Sequence, residues 1–334
     1  MKVAIIGATG FIGRHLCDTC IGRGDKVSVL VRDPEAGDGF SHRGVSVTVG
    51  DLMDEDALIR VCTGADVVFN ATGALGKWGL PADELERVNM QGAGLVVRCA
   101  AKAGAGRVVH TSTAGVTGPL PVGICALEDY LPAPATDYQR TKLAGEREVL
   151  AAHAETRMPT VIIRPTFVYG PGDTHKLPLF RTVASGRMLL VNGGASYLHP
   201  VFVDDVVEGM LQASERALGF GEVYILAGSS PVTTRKLGET IAWALGVPAP
   251  RLNLPGGILF PLAKVMEITG KLVRKESPLT RSRLKLFTEN YVYSSEKARR
   301  EIGFKPLVNL PEGIKRTAEW YIAHGLVRLE KPRR

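Results

Sequence analysis

Residues 2–16 read KVAIIGATGFIGRHL, a branched apolar run that breaks into glycines at Gly7, Gly10 and Gly13 before apolar residues return at Phe11, Ile12, Leu16 and Ile21. A short continuous run such as Val3 to Ile6 suits a strand buried on both faces, and the later spacing suits a helix. The glycines therefore sit at a strand-to-helix turn. There glycine permits positive φ, lets backbone N–H groups approach a ligand and lets the helix pack tightly on the sheet. The helix N-terminus then offers partial positive charge to a pyrophosphate. The pattern reads as a dinucleotide site in which Gly7, Thr9, Gly10, Phe11, Ile12, Gly13 and Arg14 form the phosphate-binding turn. An ordinary glycine-rich turn carries the same glycines, so the rest of the chain has to decide.

At 334 residues, 45% of them hydrophobic, the chain can bury a large core and is long enough for one large domain plus a smaller one. The N-terminal apolar run follows a single Lys and is broken by Gly-Ala-Thr-Gly without a small-residue cleavage pattern, so a cytoplasmic location is expected. The cysteines Cys17, Cys20, Cys62, Cys99 and Cys125 are scattered. Although Cys17 and Cys20 form a CxxC, no second ligand pair accompanies them, so they read as buried thiols and no metal is expected. The net charge of +7 suits nucleic acid, a membrane surface or anionic small ligands. No aromatic-interleaved basic run precedes the C-terminal tail, so anionic ligands account for the excess and no nucleic-acid partner is expected.

Further apolar runs at Val27 to Val31, Val45 to Val49, Val67 to Asn70, Arg107 to Thr111, Val161 to Arg164 and Val223 to Leu226 read as buried strands. Helical patterns, for example Asp54 to Cys62, Asn89 to Ala103 and Thr141 to His153, lie between most of them. This alternation predicts an α/β fold, a doubly wound parallel-sheet Rossmann domain with helices on both faces. The Pro- and Gly-rich segments that interrupt it predict a smaller, interleaved substrate domain. The expected division assigns 1–168 and 199–228 to the dinucleotide-binding domain, and 169–198 and 229–334 to the substrate domain.

In such a sheet the end of the second strand reaches the adenosine ribose, where an acidic residue bonds a 2′-hydroxyl and Arg accommodates a 2′-phosphate. Here the sequence is VSVLVRDP, with Arg32 nineteen residues after Gly13 and with Arg14 placed to help. The guanidinium favours NADP over NAD. Asp33 keeps NAD open as the alternative. Asp51 and Leu52 follow the third strand, where the carboxylate of Asp51 can bond adenine, and Ala71, Thr72 and Gly73 follow the fourth.

The chemistry lies at DYQRTKLAGE, where Tyr138 and Lys142 are four apart and share one helical face. A tyrosine with an ordinary pKa of about 10 is a poor acid-base catalyst near neutrality, and lowering it by about three units takes roughly 4 kcal/mol. The Lys142 ammonium and a positive nicotinamide can supply that stabilisation. Upstream, VVHTSTAGVTG ends the fifth strand with the hydroxyls of Thr111, Ser112 and Thr113, one of which can bind the substrate oxygen.

These residues resemble the extended short-chain dehydrogenases/reductases over nearly the whole chain. TGFIGRHL is similar to that family's TGxxGxxG, DYQRTK to its YxxxK and RPTFVYGPGD, from Arg164 through Pro165, to its RPxxVYGP. The resemblance implies that Tyr138 is the general acid/base and that Lys142 holds the ribose. It puts the orienting hydroxyl on Thr113, where Ser is commoner, and makes Pro165 a cofactor neighbour. Asn89 in VNMQG matches an Asn that begins a helix beside the active site. Sugar-nucleotide epimerases and dehydratases usually carry an Arg-Asp-Phe-like run before VDD, whereas this chain has Leu198 and His199 there. HPVFVDDVVEG, EVYILAG and the tail from Ser294 to Leu326 are more similar to the 3β-hydroxysteroid and sterol-4-carboxylate dehydrogenases and to relatives acting on β-hydroxy or β-keto acids. A dihydroflavonol-reductase-like ketone reductase shares VRDP. A non-catalytic NADP sensor would tend to lose Tyr138 or Lys142. The resemblance also implies a homodimer.

One further stretch bears on substrate: LPGGILFPLAKVMEITGKLVRK, Leu254 to Lys275. Charges and glycines interrupt it too often for a membrane span, and Pro261 predicts a break or a new helix start. Leu262, Val265, Met266 and Ile268 to Leu272 then form a broad apolar face. One reading is a core helix. The other is a hydrophobic cover over a small apolar substrate, in peripheral contact with a membrane, with Lys264, Lys271, Arg274 and Lys275 facing anionic lipid or a substrate carboxylate.

Overall fold

Strand and helix alternate through the first half of the computed structural model, which describes residues 1–76, 81–216, 220–272 and 281–329. The order is β1 (Lys2–Ile6), α1 (Phe11–Gly22), β2 (Lys26–Val31), α2 (Pro34–Ser41), β3 (Ser46–Val49), α3 (Glu55–Cys62), β4 (Val67–Asn70) and α4 (Ala82–Glu86). A π turn at Arg87–Gln91 then leads into α5 (Gly92–Lys102), followed by β5 (Val108–Thr111), α6 (Asp137–Thr156), β6 (Thr160–Pro165) and β7 (Phe167–Tyr169). The second half holds α7 (Leu177–Ala184), β8 (Leu189–Val191), β9 (Tyr197–Leu198), β10 (Pro200–Phe202), α8 (Val203–Arg216), β11 (Val223–Leu226) and β12 (Val232–Thr233). It ends with α9 (Thr234–Leu245), β13 (Leu252–Leu254), α10 (Gly256–Leu272), α11 (Arg281–Leu286), α12 (Glu296–Ile302) and α13 (Leu310–Ala323).

All seven apolar runs read as strands enter one sheet in the order β11-β6-β5-β4-β1-β2-β3. Every pairing in it is parallel. Sequence order reverses at β1, which pairs with both β2 and β4. In an open α/β sheet the crevice at the carboxyl ends of the strands at such a reversal is where ligands bind. One face packs Val3, Ile5, Val29 and Phe69 under α1 and α8, and the other packs Ala4, Ile6, Val68 and Val108 under α3, α5 and α6. Cys17 and Cys20 are fully buried in the first of these layers, where desolvation pushes their thiols up to about 11 and about 12. A third core gathers Tyr169, Phe180, Leu237, Ile241, Ile314 and Tyr321 between α7, α9 and α13. Ala298, Ile302 and Phe304, which follow residue 229, pack with the large sheet's own core rather than with this one.

Three local expectations differ from the fold. The helix expected from Asn89 begins as the π turn. The helix expected from Thr141 begins at Asp137, because Thr136 and Gln139 form a capping box that satisfies the first-turn N–H groups. Pro261 lies inside a continuous α10, where it removes one intrahelical hydrogen bond without ending the helix.

Candidate active site

Only one of the three fingerprint glycines needs its conformational freedom. Gly7 sits at φ +91°, and a Cβ there would lie 2.8 Å from the Ala71 carbonyl carbon. Gly13 matters for close approach, since its Cβ would lie 2.1 Å from the Gly7 carbonyl oxygen. Gly10 has φ −76° and ψ 172° and caps α1. The first residues of α1, Phe11 and Ile12, carry N–H groups that no earlier turn of the helix satisfies. A cleft of about 440 Å³ opens at this turn and takes in Gly7, Thr9, Gly10, Arg32, Asp51, Leu52, Ala71, Thr72 and Gly73. Phe11, Ile12, Gly13, Arg14 and Pro165 do not line it. Phe11 stacks edge-on against His15, the exposed Arg14 turns its Nε back to the Thr9 carbonyl (3.0 Å), and Pro165 is the buried end of β6.

At the ribose end the structure separates the two residues that compete for cofactor choice. Arg32 lines the cleft, while the Asp33 carboxylate accepts the Glu35 N–H (3.0 Å) and caps α2. Asp51 is less free than its place in the sequence suggests: its Oδ1 accepts from the Met53 N–H (3.0 Å) and from Arg87 (2.7 Å). Burial opposes the charge on Asp51, but the Arg87 and Met53 bonds and the charges of Arg87 and Arg32 together outweigh it and hold the carboxyl below its ordinary range. Arg87 also forks onto Glu84 at 2.7 and 2.9 Å.

Thr113, Tyr138 and Lys142 do not line this cleft. Lys142 is 2% exposed and its Nζ donates to the Thr111 carbonyl at 2.7 Å. Desolvation lowers its pKa to about 8, against the opposing pull of Glu146. Tyr138 is one turn earlier on α6, and burial pushes its phenol up to about 12. The expected lowering is therefore not produced by the protein alone. Thr113 is half-buried at the N-cap of a short 3₁₀ turn, where its Oγ accepts the Gly115 N–H (3.1 Å). With its oxygen so occupied, its hydroxyl proton is left to donate. Thr111 faces the α8 side of the sheet, toward Met210. Asn89 is buried, exchanges hydrogen bonds with the Ala74 backbone (2.8 and 2.9 Å) and donates to Thr141 (3.0 Å), tying the strand-end loop to α6.

Two features hold α6 against the sheet. Arg164 on β6 forms a buried two-bond fork with Glu146 at 2.8 and 2.7 Å, and its third nitrogen donates to the Glu128 carbonyl at 2.9 Å. Gly145 lets α6 touch the π turn, since a Cβ there would lie 2.0 Å from the Asn89 carbonyl oxygen. Farther off, Leu198 is buried in an apolar core. His199 has both ring nitrogens engaged, with the Gly228 carbonyl (3.0 Å) and the Tyr293 N–H (3.3 Å). Neither position supplies a cation to a diphosphate.

On α10 the apolar residues do not form a core face: Ile258, Leu262, Val265 and Ile268 are 60, 47, 57 and 52% exposed, while Leu259 and Ala263 are buried. Arg274, Lys275 and the Lys271 side chain lie outside the described residues. No helix among the described residues is long and apolar enough to cross a membrane.

The sequence pattern of the NAD dependent epimerase/dehydratase family matches residues 3–227. The chain belongs to that family. It is accordingly an extended short-chain dehydrogenase/reductase, in a family of NAD(P)-linked enzymes acting on hydroxyl and keto carbons. It is 31% identical to a 2-alkyl-3-oxoalkanoate reductase of Stenotrophomonas maltophilia, over 95% of this chain and 98% of that one. It is 27% identical to the decarboxylating sterol-4-alpha-carboxylate 3-dehydrogenase of Mus musculus, over 95% and 90% respectively. The crystal structure of gox2253 superposes with a TM-score of 0.83 at 27% identity, covering 98% of this chain and 99% of that one.

For this member of the epimerase/dehydratase family a nicotinamide dinucleotide fits the chain: the turn admits no Cβ at Gly7, and the cleft begins at a helix N-terminus and ends beside Arg32. Sequence reasoning did not single out Arg87, Glu84, Gly145 or Glu146. Three of these left a signal: Glu84 and Arg87 in ELER are an i,i+3 acid–base pair, and Gly145 in a helix interior marks a close approach.

Proposed function

We propose that the protein is an NADP(H)-dependent oxidoreductase interconverting a secondary alcohol and a ketone on a hydrophobic substrate of the β-hydroxy/β-keto acid or 3β-hydroxysteroid type. The observation that carries the substrate class is the use of Leu198 and His199 in packing and backbone bonding, where a sugar-nucleotide enzyme needs a cation. The exposed apolar stripe of α10 is in keeping with it. The withdrawal of Asp33 into the α2 cap, with Arg32 left at the cleft, supports NADP. The likeness to a 3-oxoalkanoate reductase and a sterol dehydrogenase supports the same chemistry.

When bound, the nicotinamide supplies or accepts the hydride at the carbinol carbon. Thr113 donates a hydrogen bond from its hydroxyl to the substrate oxygen and orients it, keeping its own proton. Tyr138 gives its phenolic proton to that oxygen in reduction and takes it back in oxidation. Burial keeps the proton on Tyr138 in the protein alone, so the phenol is held ready to donate. Lys142 contributes the positive charge that opposes this burial and makes the reverse step accessible.

NADPH and NADH titrations and a substrate panel test the reading. Arg32→Asp is expected to weaken NADPH by roughly 1 to 3 kcal/mol and NADH much less. Equal affinity of the parent for both cofactors would refute the NADP assignment. Long-chain β-keto acids or 3-ketosteroids are expected to raise the melting temperature and to be turned over. A response to UDP- or dTDP-sugars in their place would move the protein to the epimerase/dehydratase reading.

A further inference from the structure

On the α6 side of the sheet, directly behind the active site, lies a group of polar side chains that the mechanism above does not use. His110 is 1% exposed, and neither ring nitrogen has a hydrogen-bond partner among the described residues. Asn70, its register partner on β4, is fully buried, Ser112 is 4% exposed, and among the described residues neither the Asn70 Nδ2 nor the Ser112 Oγ has a partner. Their side is set by strand alternation: Val68 and Val108, two residues before Asn70 and His110, belong to the layer under α3, α5 and α6. Lys142 projects from α6 into this same layer. Its ammonium has three donors and makes one hydrogen bond with the described residues, to the Thr111 carbonyl.

Buried polar atoms left unpaired are rare and costly, typically 1–3 kcal/mol each, so four such atoms on three neighbouring residues need an explanation. Ordered water is the ligand that suits them, because a buried water takes two to four polar partners and is stable where several converge. A mixed set of donors and acceptors beside an ammonium with spare N–H groups meets that condition. The titratable groups that act on Lys142 are Glu146 from its own helix and His110 from β5, and the Thr111 carbonyl takes its hydrogen bond. Arg164 from β6 is committed to Glu146. The imidazole stays neutral, because burial and the Lys142 charge both oppose its protonation.

We propose that His110, with Asn70 and Ser112, holds ordered water against the Lys142 ammonium and so acts as the positioning residue that keeps this lysine charged inside the fold. The claim rests on the reading of Lys142 as the cofactor-side lysine, but its test needs no substrate. Apo-protein labelled with ¹³C at lysine Cε is titrated from pH 6 to 11 by NMR, with Lys142 assigned by the resonance missing in Lys142→Met. In the parent, Lys142 is expected to titrate near pH 8. His110→Phe removes the hydrogen-bonding atoms and is expected to move that midpoint down by about one pH unit or more. His110→Gln retains donor and acceptor and is expected to restore it. Ser112→Ala, a change too small to unfold the chain, is expected to move it down by a smaller amount. An unchanged midpoint in both His110→Phe and Ser112→Ala overturns the proposal, as does a Gln variant displaced as far as the Phe variant. Should His110→Phe not fold, an unmoved Ser112→Ala midpoint overturns it alone. Failure of every ketone in the substrate panel leaves these titrations unaffected and counts only against the proposed reaction.

Discussion

Lys142 is 2% exposed with a pKa lowered from 10.5 to about 8, so the fold carries a charge that burial disfavours. Because the folded value lies below the unfolded one, the native state binds fewer protons between about pH 8 and 10.5, and stability from this group rises with pH across that window. Below pH 8 its full cost, about 3 kcal/mol from the shift, is present. Lys142→Met should therefore stabilise the apo-protein at pH 7 by about 1–2 kcal/mol after loss of the Thr111 hydrogen bond, and by progressively less toward pH 10. Thermal melts at both pH values check this, and a Met variant less stable at pH 7 would contradict it. At Tyr138 only the phenolic oxygen matters to the chemistry. Tyr138→Phe should lose roughly 100-fold or more in turnover with NADPH affinity nearly unchanged, as steady-state kinetics and fluorescence titration would show.

The helix α6 carries both of these residues, so its placement decides the site. The Glu146–Arg164 fork lies one turn beyond Lys142 and is 4 and 6% exposed at its two side chains. Glu146→Gln leaves the Arg164 charge buried and unpaired, and should cost about 3–5 kcal/mol with loss of activity. The paired change Glu146→Leu with Arg164→Met removes both charges and should recover most of that stability. Denaturant melts of the three proteins measure it. A single variant as stable as the parent would mean that the fork does not anchor α6.

Across the whole molecule, His15 connects the dinucleotide turn to distant parts of the chain. Its Nε2 faces the Pro171 carbonyl at 2.9 Å and its Nδ1 the Asp204 carboxylate at 3.1 Å, two acceptors that only the doubly protonated ring can satisfy. Arg316 on α13 reaches the other Asp204 oxygen at 2.8 Å. Burial opposes the imidazolium, but the Asp204 and Pro171 bonds prevail and raise its pKa above 6.5. The sign follows: stability from His15 is fully present below pH 6.5 and is lost as pH rises through the raised folded value. The melting-temperature gap between parent and His15→Gln should accordingly be widest near pH 6 and shrink by pH 8. A gap independent of pH would show that the ring stays neutral.

Seven strands, the glycine turn and the placement of Tyr138 and Lys142 on one helix were legible in the sequence, because buried-strand runs, glycine at a positive-φ turn and i,i+4 spacing are local patterns. The outward face of α10 was not, since apolar residues at helical spacing look the same whether a neighbour covers them or not. Nor could composition show that Asp51 would be held by Arg87, that Glu146 would meet Arg164 or that His15 would meet Asp204, pairs separated by 36, 18 and 189 residues. The same holds for Asn70 and His110, brought side by side by strand register alone. Charge states depend on which partners and how much water each group keeps, and those are set only when the sheet and its helices close around it.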